Sequence, residues 1–135
     1  MIFRVSVTSL VAGLLFVSGS VMAQDLAAGE KIAKSRCAAC HNFDKGGAHK
    51  VGPNLFGITT RGPAKAAGYA YSTGLTDAAT KGFAWDKTEL DTYLTDPSKF
   101  LEQKTGDAKV RSKMTFKLPK ADERAAVIMY LESLK

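Results

Sequence analysis

The apolar positions of the chain predict a long helix near each end. Towards the N-terminal end, Leu26 and Ile32 share one face of a helix over about residues 26–40, and Asp25 precedes it as a candidate N-cap. Towards the C-terminal end, apolar residues recur at helical spacing over about residues 120–134. The stripe consists of Val127, Ile128, Leu131 and Leu134. One apolar face on each helix predicts that both pack against a common core.

Three further helices, two of them short, are predicted between these ends. Asp86 and Glu89 have the spacing of a capping box, and the helix they begin is expected to end before Pro97. A short helix can restart at Pro97 and include Phe100 and Leu101, and another is plausible over about residues 76–81. Residues 102–113 are polar and predicted to be a surface excursion. Since no segment predicts a strand, the expected fold is all-α, with about four to five helices and long loops.

The segment over residues 42–71 is rich in glycine and proline and has neither a helical nor a strand period. A structureless loop of this length is unusual inside a compact domain. It is reasonable if the loop wraps a flat ligand instead of a polypeptide core. The sequence therefore predicts that part of the interior belongs to a bound group.

The first 23 residues have the layout of a secretory signal peptide. Met1–Arg4 is short and basic, Val5–Val17 is mostly apolar, and Val21-Met22-Ala23 offers a cleavage site after Ala23. The apolar run breaks at Ser18, before the ~20 residues that a membrane span needs. We therefore expect an exported, periplasmic domain over residues 24–135, without stable membrane insertion after cleavage.

The charge of this domain favours acidic partners. Of the 19 basic residues of the chain only Arg4 precedes the cleavage site, so 18 basic and 13 acidic residues leave a formal charge of +5. Such a surplus is typical of proteins that meet an acidic protein patch, a membrane surface or nucleic acid. Nucleic acid is disfavoured because the basic residues are spread out and do not interleave with aromatic residues.

The chain has two cysteines, Cys37 and Cys40, and His41 follows directly. A disulfide between them would close a tiny loop and stabilise the fold little. No βαβ pattern supports a thioredoxin-like redox pair, and a zinc site would need a fourth ligand, for which His49 is the one typical candidate. Cys-x-x-Cys-His is the attachment signature of haem c, with two thioether links and an axial histidine. One covalent haem c explains all three residues together.

An electron-carrying haem needs a second axial ligand, and the candidates are Met114, Met129 and His49. Met129 lies beside the apolar stripe of the last helix, where a methionine is more often a core residue. His49 lies only eight positions after His41. Met114 lies in a loop far enough along the chain to close over the other face of the haem. Position alone therefore favours Met114 and leaves the other two open.

With these residues in view, the chain resembles the class I c-type cytochromes, in particular the bacterial cytochrome c2 type, over essentially all of residues 25–135. The resemblance rests on the haem motif together with markers spread along the chain. These are Gly52-Pro53-Asn54-Leu55, Trp85, Tyr93-Leu94, Asp96-Pro97, Ser112-Lys113-Met114 and Tyr130-Leu131.

The resemblance implies a role for each candidate site residue. His41 and Met114 are implied as the iron ligands, and the Pro53 carbonyl as the acceptor of the His41 Nδ1–H. Arg61, Tyr71 and Trp85 match residues around the haem propionates, and Tyr93 matches a hydroxyl near the methionine sulfur. From the residues alone, the three aromatics would equally serve as core residues and Arg61 as a solvated charge.

The resemblance also implies a function. We expect a monomeric, soluble electron carrier that works between a cytochrome bc-type complex and a reaction centre, oxidase or reductase, in photosynthesis or respiration. Basic residues around the haem edge would steer it onto the acidic docking surfaces of these membrane redox complexes. They are Lys31, Arg36, Lys50, Lys99, Lys113 and Lys120. The alternative is a small haem peroxidase or a gas-binding haem protein, which would need an open iron position.

One position departs from the family pattern. Ala33 stands where the family usually has phenylalanine, at the expected contact between the first and last helices. The sequence leaves open whether this contact is looser or filled by a neighbour.

Overall fold

The computed structural model describes residues 19–135, with side chains from Asp25 onward. Six helices and no strand occur in this part of the chain. They are α1 (Gly19–Arg36), α2 (Ile58–Arg61), α3 (Thr73–Thr80), α4 (Lys87–Thr95), α5 (Pro97–Thr105) and α6 (Ala121–Ser133). The predicted all-α fold is confirmed, and the one-turn helix α2 accounts for the helix beyond the expected four to five.

The predicted boundaries of α1 are wrong at both ends. The helix begins at Gly19, so Asp25 lies inside it instead of capping it. It ends at Arg36, and a hydrogen-bonded turn continues to Cys40. The predicted signal peptide falls mostly outside the described residues, and its last five residues lie in α1.

The middle helices are capped largely as the sequence predicts. Asp86 accepts the Glu89 N–H at the start of α4, and Asp96 accepts the Lys99 N–H at the start of α5. Helix α3 begins at Thr73, three residues earlier than expected, because the Ser72 side chain caps it. Helix α5 runs to Thr105 and ends at Gly106, whose φ of 78° suits a glycine. The predicted surface excursion over residues 102–113 therefore begins as helix.

Helices α1 and α6 make the most extensive helix–helix contact of the described structure. Gly29 permits it, because a Cβ at this position would overlap the Ala126 carbonyl of α6. Ala33 is fully buried. The loop residue Phe43 supplies an aromatic ring against Tyr130 of α6, with ring centroids 5.7 Å apart. A loop residue thus packs on α6 in addition to α1.

The Gly29 contact predicts a large stability loss on substitution. Gly29→Val should lower the free energy of unfolding by about 3 kcal/mol, since a branched side chain must push the α6 backbone away. Urea unfolding measures the difference. The control is Ala28→Val at the exposed neighbouring position, where only helix propensity changes, by about 0.7 kcal/mol or less. Equal losses in the two variants would contradict close packing at Gly29.

Helices α4 and α5 hold the aromatic part of the core. Trp85 stacks on Phe100 at 5.6 Å, and Tyr93 meets both rings edge-on at 4.9 and 5.4 Å. Arg124 of α6 bonds the Asp91 carboxylate at 2.7 Å and the carbonyls of Leu118 and Pro119, which ties α4 to the chain before α6. No helix among the described residues is long and apolar enough to span a bilayer.

Candidate functional site

A cavity of about 610 Å³ lies between α1, α4, α6 and the loops that connect them. Most of its wall is apolar, as expected for a site that buries a flat organic group. Eight of the nine site residues predicted from the sequence line it. They are Cys37, Cys40, His41, Pro53, Tyr71, Trp85, Tyr93 and Met114. The cavity thus brings together residues from five separate parts of the chain.

The two cysteines lie in the turn that follows α1. The N–H groups of Cys40 and His41 both donate to the Cys37 carbonyl, at 3.0 and 2.9 Å. The turn presents both thiols to the cavity, and they are not joined in a disulfide. Burial raises the pKa of the Cys37 thiol, with a smaller opposing effect of Arg36. Two free thiols on one wall fit a group that forms a bond to each.

His41 has one nitrogen committed and one available. Its Nδ1 lies 2.7 Å from the Pro53 carbonyl oxygen, which can only accept, so Nδ1 carries the proton. Burial lowers the pKa of the imidazole, and the hydrogen bond to Pro53 offsets this only in part. The lowered pKa keeps the ring neutral. Nε2 therefore keeps its lone pair for a metal.

Gly52 holds the His41 ring from the other side. A Cβ at this position would overlap the imidazole, so glycine is required for the loop to approach it. The Gly52 N–H also donates to the Cys40 carbonyl at 2.8 Å, which joins the loop to the cysteine turn.

Of the three candidates for a second metal ligand, Met114 lies in the cavity wall and the other two do not. Both nitrogens of His49 are occupied: Nδ1 accepts the Asn54 N–H at 3.0 Å, and Nε2 then donates to the Ala67 carbonyl at 2.7 Å. Met129 lies in α6 outside the wall. The structure therefore favours Met114, as position along the chain did.

A small polar network surrounds the Met114 backbone. The Met114 N–H donates to Ser112 Oγ at 3.1 Å, and the Tyr93 hydroxyl lies 3.3 Å from the same oxygen. Burial raises the pKa of Tyr93, so its hydroxyl stays protonated at neutral pH. Tyr93 thus lies on the cavity wall with a polar link to the methionine loop.

Arg61 is the predicted site residue that the structure does not place in the wall. Its two terminal nitrogens donate to the carbonyls of Phe56 and Asn54, at 2.8 and 2.5 Å. Its Nε is buried and has no hydrogen-bond partner among the residues that the structure describes. A buried donor without an acceptor is costly, and an anionic group nearby would satisfy it.

Sequence reasoning missed Tyr69. Its hydroxyl donates to the Val51 carbonyl at 2.7 Å, and its ring lies edge-on to Tyr71 at 4.8 Å in the cavity wall. Two tyrosines two positions apart in a glycine-rich segment were the available signal. Asn54 was missed as well: its buried amide donates to the Asp44 and Gly47 carbonyls and shapes the loop behind Pro53.

Only some of the basic residues predicted to surround the haem edge lie at the cavity. Arg36 and Lys113 line the cavity, whereas the other four basic residues do not. Val51 and Phe116 are exposed apolar side chains that also line it, so we define the cavity mouth as Arg36, Val51, Lys113 and Phe116. Arg36 bonds Glu123 at 2.9 Å, whereas Lys113 donates to the Ala70 carbonyl at 2.7 Å.

Comparison with known proteins identifies the family and the fold. The family model described as Cytochrome c matches residues 26–135. Cytochrome c-550 of Novispirillum itersonii is 62% identical over 111 residues, covering 82% of this chain and 99% of that protein. Cytochrome c2 of Rhodospirillum rubrum is 50% identical over 125 residues, covering 92% of each.

Solved structures with similar folds belong to the same family. The structure of cytochrome c2 from Rhodospirillum centenum matches 82% of this chain and 98% of that one, with a TM-score of 0.77 and 35% identity. Ferric cytochrome c-550 from Paracoccus versutus matches 82% of this chain and 97% of that one, with a TM-score of 0.73 and 36% identity. The chain belongs to the cytochrome c family, as a class I c-type cytochrome of the c2 type, an electron carrier with one covalently bound haem c and not an enzyme.

Proposed function

We propose that this protein is a periplasmic carrier of single electrons whose haem iron is held by His41 and Met114. It would carry electrons from a cytochrome bc-type complex to a terminal acceptor, which is a reaction centre, an oxidase or a reductase. One observation carries the ligand assignment. His41 and Met114 line the same cavity, and the His41 tautomer leaves Nε2 available.

The site residues fit a haem c on four counts. Cys37 and Cys40 present two free thiols for thioether links. The wall is mostly apolar, Gly52 lets its loop approach the His41 imidazole, and Arg61 keeps a buried N–H without an acceptor among the described residues. A propionate carboxylate would satisfy that donor, and the family resemblance assigns Tyr71 and Trp85 to the surroundings of the propionates. All four features are properties of the chain's own residues.

The bound haem supplies an iron centre that alternates between the ferrous and ferric states. His41 contributes a neutral imidazole whose basicity is raised by its bond to Pro53. Met114 contributes a soft sulfur, and a methionine–histidine pair raises the reduction potential. The apolar wall penalises the extra positive charge of the ferric state and acts in the same direction. The residues therefore favour a clearly positive potential.

Export is part of the proposal. Residues 1–23 have the layout of a signal peptide, and attachment of haem c in bacteria takes place in the periplasm. The family match begins at residue 26, just after the proposed cleavage site. We therefore place the mature protein at residues 24–135. N-terminal sequencing of the protein from a periplasmic extract would test this boundary.

The function is tested by optical redox titration of the purified mature protein. We expect a reduced-minus-oxidised spectrum of c-type haem, the ferric absorption signature of sulfur ligation, and a single one-electron wave at positive potential. Acid–acetone should leave the haem on the protein because the thioether links are covalent. A ferric spectrum without the sulfur signature, or fast binding of added ligands by the unaltered protein, would contradict the proposed ligation.

A further inference from the structure

The loop that carries Met114, residues 112–118, is fastened at both ends to one short piece of chain. We define this piece as the α4–α5 junction, residues 94–98. At the C-terminal end, the Leu118 N–H donates to the Leu94 carbonyl at 2.8 Å, and Lys117 pairs with Asp96 at 2.6 Å. At the N-terminal end, the Ser112 N–H donates to Ser98 Oγ at 3.1 Å.

The two ends are held by contacts of different kinds. The C-terminal end combines a backbone–backbone bond with an ion pair, and Leu118 is buried. At the N-terminal end, the hydroxyl of Ser98 accepts the backbone N–H of Ser112, while side-chain bonds join Ser112 Oγ to the Tyr93 hydroxyl and Lys113 to the Ala70 carbonyl. Ser112 is buried, so its N–H would lack a protein acceptor if that hydroxyl were removed. Substitution of Ser98 therefore removes the hydrogen bond between this end of the loop and the α4–α5 junction, and leaves the Tyr93 and Lys113 contacts in place.

Ser112 also connects this fastening to the methionine. Its Oγ accepts the Met114 N–H, while its own N–H is bound by Ser98. A chain of hydrogen bonds thus leads from Ser98 in α5 through Ser112 to the backbone of Met114. Movement of Ser112 away from α5 would carry the Met114 backbone with it, and the side chain would leave the cavity wall.

We propose that Ser98 is a positioning residue for the iron's sulfur ligand. Its hydroxyl anchors the N-terminal end of the 112–118 loop on α5 and thereby sets how often the loop opens and the Met114 sulfur leaves the iron. This inference rests on the proposed ligation by Met114, and it adds a residue outside the cavity wall that controls that ligation.

The test measures loop opening directly with imidazole as the competing ligand. At saturating imidazole, binding to the ferric protein can proceed no faster than the sulfur leaves, so the observed rate reaches a plateau equal to the opening rate. Ser98→Ala should raise this plateau about two- to tenfold, the factor that corresponds to one net hydrogen bond. Ser98→Thr keeps a hydroxyl and should restore a plateau near that of the unaltered protein.

Ser133→Ala is the matched control, because it removes a serine hydroxyl bond within α6, to the Tyr130 carbonyl. Both variants should lower the urea midpoint, Ser98→Ala the more because the Ser112 N–H is buried whereas Ser133 is exposed, but only Ser98→Ala should change the plateau. A plateau raised equally in both would mean general destabilisation and would overturn the proposal. A plateau raised equally in Ser98→Ala and Ser98→Thr would also overturn it, since the hydroxyl would then be irrelevant.

The outcomes separate this inference from the proposed function. If the unaltered protein shows sulfur ligation and a plateau, but Ser98→Ala matches it, the positioning role fails and the ligation stands. If the unaltered protein shows neither the sulfur signature nor a plateau, the ligation by Met114 fails, and the role of Ser98 fails with it.

Discussion

Met114→Ala is expected to produce a folded haem protein with an open iron position and a much lower reduction potential. The change would remove the proposed soft ligand that favours ferrous iron, and axial ligation is a main determinant of potentials that span about 0.8 V among haem proteins. A fall on the order of a few hundred millivolts follows. The ferric sulfur signature should vanish, and added imidazole should bind without the plateau. Redox titration and rapid-mixing spectroscopy measure the two effects.

Met129→Ala is the control for this prediction. Both variants exchange a partly buried methionine for alanine, but Met129 lies in α6 outside the cavity wall. The Met129→Ala protein should lose stability while its reduction potential and its sulfur signature stay unchanged. If Met129→Ala abolished the signature and Met114→Ala retained it, the ligand assignment would be wrong.

The elements predicted best from the sequence are those whose signals are local. The capping box at Asp86 and Glu89 and the stop at Pro97 fix α4 and the start of α5, because cap and proline act within a few residues. The α1 start is wrong because apolar positions and a capping residue do not distinguish a helix that begins at Asp25 from one that continues through it.

The site could be predicted where it uses a rare combination of residues at a fixed spacing. Cys37, Cys40 and His41 are recognisable from spacing alone, since few other arrangements use all three. Met114 was favoured by position, and the cavity wall points to it as well. Tyr71 and Trp85 needed the family resemblance, because a core aromatic and a cofactor-facing aromatic look the same in sequence.

The contacts that hold the site in place were not predictable, because they join residues distant in sequence through backbone groups. The bond between His49 and the Ala67 carbonyl, and that between Ser112 and Ser98, depend on loop paths that no local pattern encodes. The same holds for Phe43 against Tyr130, where a loop residue packs on α6. Sequence patterns located the elements and the reactive residues, whereas the folded chain was needed to show how they are positioned.

Lys113→Glu is expected to slow electron transfer with a bc-type complex or an acceptor most strongly at low salt. Lys113 is exposed at the cavity mouth beside Met114, and it has no acidic partner within salt-bridge distance among the described side chains, whereas Arg36 is paired with Glu123. A reversed charge there opposes the field that guides the protein onto an acidic surface. The second-order rate constant should fall roughly three- to tenfold at low ionic strength. The difference should nearly vanish at about 1 M salt, where the Debye length is about 3 Å.

Two controls separate steering from other consequences of the change. Lys81→Glu alters the net charge equally at an exposed position outside the cavity wall, so it should slow the reaction much less if location matters. Lys113→Gln removes the charge without reversing it and disturbs the bond to the Ala70 carbonyl in the same way. It should give an intermediate rate at low salt and a normal rate at high salt. Slowing by Lys113→Glu that is equal at every ionic strength would contradict steering, because loss of the Ala70 bond is insensitive to salt whereas attraction between separated charges is screened.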